Sequence, residues 1–449
     1  MLSVCAQCAL IPSGTPRRVW AIGDLHGDAG CALHWVERTG LLQNASLPAA
    51  EWEWTEPSSQ LVFLGDYIDR GPDSKAVLTL VRELTLRFPE HVHALLGNHE
   101  LNLLLDRAKS PSGGRYLEYA YAAAHPAQYE AWLPKGERTE DLDGVLRSLH
   151  DALLSVYRRG LHAQGVLMVP DGPSSIVEFV RPKAARPRVA DALRRWQRAY
   201  MRGVSSDSPL GEFLHRPLSV HLAGTVFVHG GLAEELLDRE LPHSPSAPAR
   251  PLDSLEALDE LNARWLNATG GHRELPRPGE TRASAEAAAL AQSDLVAFAS
   301  EMVEYRGLHG SYAGRYADRH SRRGRRRGAP LEQVACDRVA AVLRRLNVSR
   351  IAVGHTPEDS VRVRCGGRLL ALDSTLSRSF RAHGNYYCDK QMEHKEPRIC
   401  APRREVCEGQ IVRLERRDAR AAWVLHVVES EPDIERDEGA VEDMKLELR

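Results

Sequence analysis

The stretch 61–70, LVFLGDYIDR, constrains the fold more than any other part of the chain. Four apolar residues run into a glycine, two aspartates and an arginine. A buried strand that delivers carboxylates to its C-terminal edge has this pattern. The arrangement recurs at four other places. Val19 to Ile22 leads into Gly23-Asp24-Leu25-His26-Gly27-Asp28, and His91 to Leu96 into Gly97-Asn98-His99-Glu100. Thr225 to Val228 leads into His229-Gly230-Gly231, and Ile351 to Val353 into Gly354-His355-Thr356. These strand ends, each carrying Asp, His or Asn beside Gly, read as a metal site built at the edge of one sheet.

The intervening segments supply the helices of an α/β chain. Apolar residues recur at helical spacing over 29–39 and 75–88, between strands expected at 17–23, 60–65 and 91–97. Strand–helix–strand at that spacing predicts parallel strands with right-handed crossovers. Residues 51–59, with Trp52 and Trp54, read as a loop. Residues 101–216 read as a helical insertion over the strand ends, with helical periodicity at 116–124, 142–157 and 189–200. That position suits a substrate lid or specificity wall. The stretch 242–328 reads as long loops rich in Pro, Ser and Gly around a helical segment at 283–304. Its arginines at 322, 323, 325, 326 and 327 read as a solvated loop. A helix is expected at 331–346, a hairpin at 360–373, and a second strand pair at 411–414 and 423–428. The domain is expected to span 17–428, and 429–449 to be an acidic, disordered tail.

Composition excludes several classes. The 449 residues carry a formal net charge of −2, so no global field favours nucleic acid or an anionic membrane. No apolar run reaches the roughly 20 residues that span a bilayer. Residues 1–18 make a poor secretory signal, which predicts a cytoplasmic protein, with organelle targeting left open. Eight cysteines in a chain of this length do not suggest a disulfide scaffold. The Cys5–Cys8 pair reads as incidental, and the grouped Cys388, Cys400 and Cys407 have no assigned role.

Six residues have the identity and placement to hold two adjacent divalent ions: Asp24, His26, Asp66, Asn98, His229 and His355. Mixed imidazole and carboxylate donors suit Zn, Fe or Mn. The two oxygens of Asp66 can bridge both ions. Such a pair activates water and clamps a phosphoryl group in line. Beside the ligands, His99 is suited to act as a general acid, Asp69 to orient it, and Arg70 to grip phosphate oxygens through its fork.

These motifs resemble the signatures of the calcineurin-like metallophosphoesterases. The DYIDRG and GNHE forms are similar to those of the phosphoprotein phosphatases. The chain departs from the eukaryotic serine/threonine enzymes in having Leu96 where they have Arg. It also lacks SAPNYC, and has 373–378, DSTLSR, in roughly that region. Gly354-His355-Thr356-Pro357 and its neighbours look like the bacterial-type branch, best matched by the Shewanella-like phosphatases. The resemblance implies a central β-sandwich flanked by helices, two metals, and attack by a metal-bound hydroxide without a phosphoenzyme. It also points to a second phosphate-binding arginine between the HGG and GH motifs. Arg306, in Tyr305-Arg306-Gly307 after a helical stretch, is the candidate. The function implied is a phosphomonoesterase acting on phosphorylated protein or a small phosphate ester, with a regulatory partner left open. A nucleotide or dinucleoside polyphosphate hydrolase on the same core is the alternative. A catalytically silent scaffold is disfavoured because all six ligands are present.

Overall fold

The structure is a computed structural model. It describes residues 16–109, 126–134, 144–145, 147–149, 151–152, 173–241, 250–269, 281, 290, 293–310, 330–378, 406–418, 421–430 and 445–447. The helices expected at 116–124 and over most of 142–157, the arginines at 322–327, and Cys5, Cys8, Cys388 and Cys400 lie outside these residues.

Two sheets carry the strand ends. The first has the order β13-β12-β11-β1-β4-β5. Its members are β1 (Arg18–Ile22), β4 (Ser59–Phe63), β5 (Val92–Ala94), β11 (Gln410–Glu415), β12 (Val424–Glu429) and β13 (Lys445–Glu447). Strands β1, β4 and β5 run parallel, as the strand–helix–strand spacing predicts, and β11 lies antiparallel on the other side of β1. The second sheet has the order β6-β7-β8-β10-β9. It comprises β6 (Ser219–Leu222), β7 (Thr225–Val228), β8 (Arg350–Val353), β9 (Arg362–Arg364) and β10 (Leu369–Ala371). Here β7, β8 and β10 are parallel.

Alternation along each strand divides the side chains between two cores. Val19, Ala21, Val62 and Leu64 of the first sheet meet Phe227, Ala352, Leu370 and Leu372 of the second in one buried cluster. The alternate residues Trp20, Ile22, Leu61 and Phe63 join a second cluster with the helices α1 (Ala29–Arg38) and α2 (Ser74–Arg87). The architecture is therefore a β-sandwich flanked by helices. The expectation of a single sheet edge is corrected: the polar strand ends come from both sheets.

Local chemistry sets the helix boundaries. Asp28 caps α1 by accepting a hydrogen bond from the Cys31 amide, and Gly40, at φ 66°, follows the helix end. Val77, Leu78, Val81 and Leu84 form the buried stripe of α2. Helix α3 (Asn98–Lys109) starts directly after Gly97, so Asn98 and His99 occupy its first turn. Within the insertion, helix Arg186–Gly203 packs on helix Pro126–Trp132, with Tyr200 between Trp196 and Trp132. Burial, then the charges of Asp69 and Glu100, push the Tyr200 hydroxyl well above its usual value.

Four further expectations are corrected. Helix Leu255–Thr269 stands within the stretch read as long loops; Ser254 Oγ accepts from the Ala257 amide, and Leu258, Leu261 and Trp265 form its buried stripe. Glu53–Trp54 (β3) pairs with Leu42–Gln43 (β2) inside the stretch read as a loop around Trp52. The acidic tail contributes β13, paired antiparallel with β12. The cysteines form two disulfides, Cys31–Cys407 and Cys336–Cys365, with Cα separations of 5.3 and 5.2 Å. Sequence separations of 376 and 29 residues hid these pairings. Each closes a loop in the unfolded chain, an effect typically worth about 2–4 kcal/mol. Unreduced, denatured protein should therefore expose at most the thiols of Cys5, Cys8, Cys388 and Cys400 to an alkylating reagent. Alkylation of all eight cysteines before reduction would contradict both pairings.

Candidate metal centre

Register brings the strand ends into one place. Ile22 pairs with Phe63, and Phe63 with Ala94, so the loops carrying Asp24, Asp66 and Asn98 leave adjacent strands side by side. Val228 pairs with Val353, which does the same for His229 and His355. Ligands in parallel sheets bind at such carboxyl edges. Local backbone strain accompanies the placement. His26, Asp66, Asp69, Arg70 and His355 all have left-handed φ, between 40° and 68°.

All six expected metal ligands converge, and with the exception of Asn98, which is partly buried, they are buried. Asp66 is the shared member of two groups of potential donors, one with His26 and His99 and the other with His229 and His355. Its Oδ2 lies 3.6 Å from His26 Nε2, and its Oδ1 lies 3.3 Å from His229 Nε2. Asn98 Oδ1 is 3.1 Å from His229 Nε2 and 2.9 Å from His355 Nδ1. Asp24 Oδ2 is 4.0 Å from His26 Nε2, and the Asp24 carboxylate accepts from the His355 amide. The opposite ring nitrogens of two ligands are held by backbone carbonyls. His26 Nδ1 faces Ile68 O at 3.2 Å, and His229 Nδ1 faces Leu64 O at 2.8 Å. Such contacts fix which nitrogen points into the site.

The donor set fits divalent cations. Burial, then the charges of Asp373 and Asp66, push the Asp24 carboxyl well above its usual range. A buried group of like charges calls for a cation. Burial and neighbouring cationic groups hold His26 and His355 well below the ordinary imidazole value, and so in the neutral form that ligates. Space is reserved as well. A Cβ on Gly354 would approach Asp24 Oδ1 to 2.4 Å, and one on Gly97 would approach Asp66 Oδ1 to 2.2 Å. Among the described residues, the four that the sequence marked for catalysis also sit here. His99 Nδ1 is 2.8 Å from Asp69 Oδ2, and Arg70 Nη2 is 3.4 Å from His99 Nε2. Burial opposes the charged form of His99, but the Asp66 charge and the Asp69 hydrogen bond outweigh it and raise the imidazole to about 9. His99 belongs to one donor group by distance alone. Its Nδ1 is held by Asp69, and its Nε2 lies 3.4 Å from Arg70 Nη2 and 3.9 Å from Asp66 Oδ2. Arg306 follows helix Ser293–Glu304, which packs on α3, and its Nε lies 3.0 Å from His355 Nε2. It therefore lies against the ligand cluster, beyond the end of its helix.

Two residues at the cluster were not singled out from the sequence. Glu100, fully buried, accepts from the amides of Asp66, Tyr67, Ile68 and Gly97 at 2.8–3.2 Å and so shapes the Asp66 loop. Burial, then the Asp66 charge, push its carboxyl up to about 7. Its position directly after Asn98-His99 was the available signal. Asp373 ends β10 as a further acidic strand terminus. It lacks the adjacent glycine that marked the other strand ends.

Parts or most of this chain are similar to known proteins. An uncharacterized protein of Schizosaccharomyces pombe is 24% identical over 371 residues, covering 81% of this chain and 75% of that protein. Serine/threonine-protein phosphatase 1 of Salmonella typhimurium is 36% identical over 121 residues, 26% of this chain and 47% of that protein. A symmetrical bis(5'-nucleosyl)-tetraphosphatase of a Janthinobacterium species is 42% identical over 85 residues, 19% of this chain and 25% of that protein. The two relatives named as enzymes are thus matched over less than half their length. The solved structure of a cold-active protein-tyrosine phosphatase from a psychrophilic Shewanella species is 15% identical, with 94% of this chain and 81% of that chain covered at a TM-score of 0.44. Residues 17–200, which hold Asp24, His26, Asp66, Asn98 and His99, match the calcineurin-like phosphoesterase family.

Proposed function

We propose that the chain is a phosphomonoesterase that uses two divalent ions, of Mn, Fe or Zn, and acts on phosphorylated protein at serine or threonine and at tyrosine. The observation that carries this reading is the pair of donor groups meeting at Asp66, with the His99–Asp69 pair and Arg70 beside them. When bound, the ions supply Lewis-acid stabilisation and an activated water. The chain's own residues do the rest. His99 Nε2 is positioned to give its proton to the leaving oxygen. Asp69 holds the ring by Nδ1 and stabilises its charged form. Arg70 and Arg306 bring planar forks to the phosphate oxygens, where charge develops.

Specificity lies in the segments around a shared core. A panel of phosphoserine, phosphothreonine and phosphotyrosine peptides, assayed with dinucleoside polyphosphates on manganese-loaded protein, tests it. The expected result is turnover of the peptides. Preferential turnover of the dinucleoside polyphosphates would replace this reading with the nucleotide hydrolase. No nucleic acid or membrane is part of the proposed function. Among the described residues, no helix is long and apolar enough to cross a membrane. The two disulfides favour an oxidising compartment over the cytoplasmic location expected from the sequence.

Arg306 separates a phosphate ligand from a helix cap. As a phosphate ligand, Arg306→Ala should weaken inhibition by inorganic phosphate and lower kcat/KM, and Arg306→Lys should recover little, because the fork is lost. As a cap it would cost only about 0.3–1 kcal/mol of stability, and lysine would replace it well. Phosphate inhibition constants of the two variants distinguish these outcomes.

A further inference from the structure

We propose that Asp373 is a positioning residue of the metal centre, acting through Asp24 on the cation that Asp24 and His26 would hold. This rests on the metal-dependent reading above. Asp373 lies where β10, parallel to β8, leaves the second sheet. The backbone of the first loop is pressed against it: a Cβ on Gly23 would come within 2.3 Å of Leu372 O and 3.3 Å of the Asp373 Cα. The Asp373 carboxyl is buried, as is that of Asp24, and the two act on each other electrostatically. One of its oxygens, Oδ1, accepts from the Thr375 amide at 3.1 Å. The other, Oδ2, is buried with no N–H or O–H donor.

Ionised carboxylates only accept hydrogen bonds, so two buried near each other are unfavourable until a cation compensates them. Here the pair is buried and its alignment is fastened from both ends. Arg378 donates to both oxygens of Asp28, with Nε to Oδ2 at 3.0 Å and Nη2 to Oδ1 at 2.8 Å, and its amide also reaches Oδ2 at 2.8 Å. Ser377 Oγ donates to the His26 carbonyl at 3.1 Å. The segment 373–378 thus clasps the loop that carries Asp24 and His26. A bare structural role would be served by a neutral partner for Asp24. The second carboxylate gains its use when a cation sits on the pair: it adds negative charge at the first metal position and holds the Asp24 oxygens in place.

The test is a manganese(II) titration followed by calorimetry on full-length chain stripped with chelator, for the wild type, Asp373→Asn and Asp24→Asn. Asparagine keeps the shape and the Thr375 contact but removes the charge. The expected result is that Asp373→Asn weakens one of two manganese sites by roughly 10–100-fold, the range for loss of an outer-shell partner. The other site should be unchanged, and the weakened site should be the one that Asp24→Asn removes. The melting temperature of the stripped variant should equal or exceed that of stripped wild type, because a repelling pair has been relieved. Two sites of wild-type affinity in Asp373→Asn would overturn the proposal. A lowered melting temperature of the stripped variant with unchanged manganese affinity would make Asp373 a structural residue, and would overturn it equally. Wild-type chain that binds no manganese would instead remove the metal-dependent reading on which the proposal stands.

Discussion

Asp66→Asn should abolish binding of both metal ions and reduce phosphate ester hydrolysis by more than the roughly 10–100-fold that loss of an outer-shell partner costs. Among the described residues, Asp66 alone belongs to both donor groups, with Oδ2 toward His26 and Oδ1 toward His229. An amide keeps one oxygen and loses the charge, so it cannot serve two cations equally. Removing a terminal ligand such as His26 or His355 leaves one donor group complete. The order of effects is therefore part of the expectation: Asp66→Asn should lose more metal and more activity than either terminal variant. The Asp66 loop also depends on Glu100, whose oxygens hold three of its amides. A circular dichroism spectrum matching wild type is the control that the loop's loss has not unfolded the chain. Metal content measured by mass spectrometry, with turnover of an aryl phosphate, checks the prediction. Retention of both ions and full activity would contradict it.

His99→Asn should lower turnover of alkyl phosphate esters by about 10²–10⁴-fold, the usual contribution of a general acid, while leaving metal content near wild type. Its Nδ1 is occupied by Asp69, and its Nε2 points to Arg70 rather than away from the site. Aryl esters have leaving groups that need little protonation, so their loss should be smaller. The pH profile carries a second signature. A general acid works when protonated, and His99 is held above its ordinary value by Asp66 and Asp69 against the effect of burial. Activity on alkyl esters should therefore be present at neutral pH and fall as pH rises through the His99 value. Cations on Asp66 weaken the largest raising influence, so this limb should lie below about 9 in the loaded enzyme. His99→Asn should remove the limb. Equal losses on aryl and alkyl esters, with the limb intact, would show that His99 only supports the metal ligands.

The parts of this site that were legible in the sequence share one cause. A buried parallel strand is an unbroken apolar run, and its end beside a loop needs a glycine where backbones approach closely. Gly23, Gly65 and Gly97 meet that need here. Each such run therefore announced both a strand and the polar residues it delivers. Asp373 ends a run of the same kind, Leu369 to Leu372, but has no glycine next to it and sat inside a hairpin reading. Glu100 was hidden by its identity, since a glutamate in the first turn of a helix is ordinary there. Arg306 could be reached only through family resemblance, because nothing local to Tyr305-Arg306-Gly307 shows that its helix lies on α3.

The fold was less legible where the partners are remote in sequence. Parallel pairing of β1 with β4 follows from a short crossover, whereas the pairing of β1 with β11 spans most of the chain. That a second sheet closes over the first is not written in any one strand: Val19 and Ala21 look like ordinary buried residues whether they face a helix or another sheet. The disulfide Cys31–Cys407 is hidden for the same reason, and helix Leu255–Thr269 because the Pro- and Gly-rich segments on either side of it dominated the reading.

The positions of the metal ions test the proposed function most directly. A crystal of the manganese-loaded chain, with anomalous scattering recorded at the manganese edge, should show two peaks at the strand ends about 3.5–4 Å apart, as in two-metal phosphoryl-transfer sites, with the Asp66 carboxylate between them. A single peak, or peaks away from Asp24, Asp66 and His355, would contradict the account.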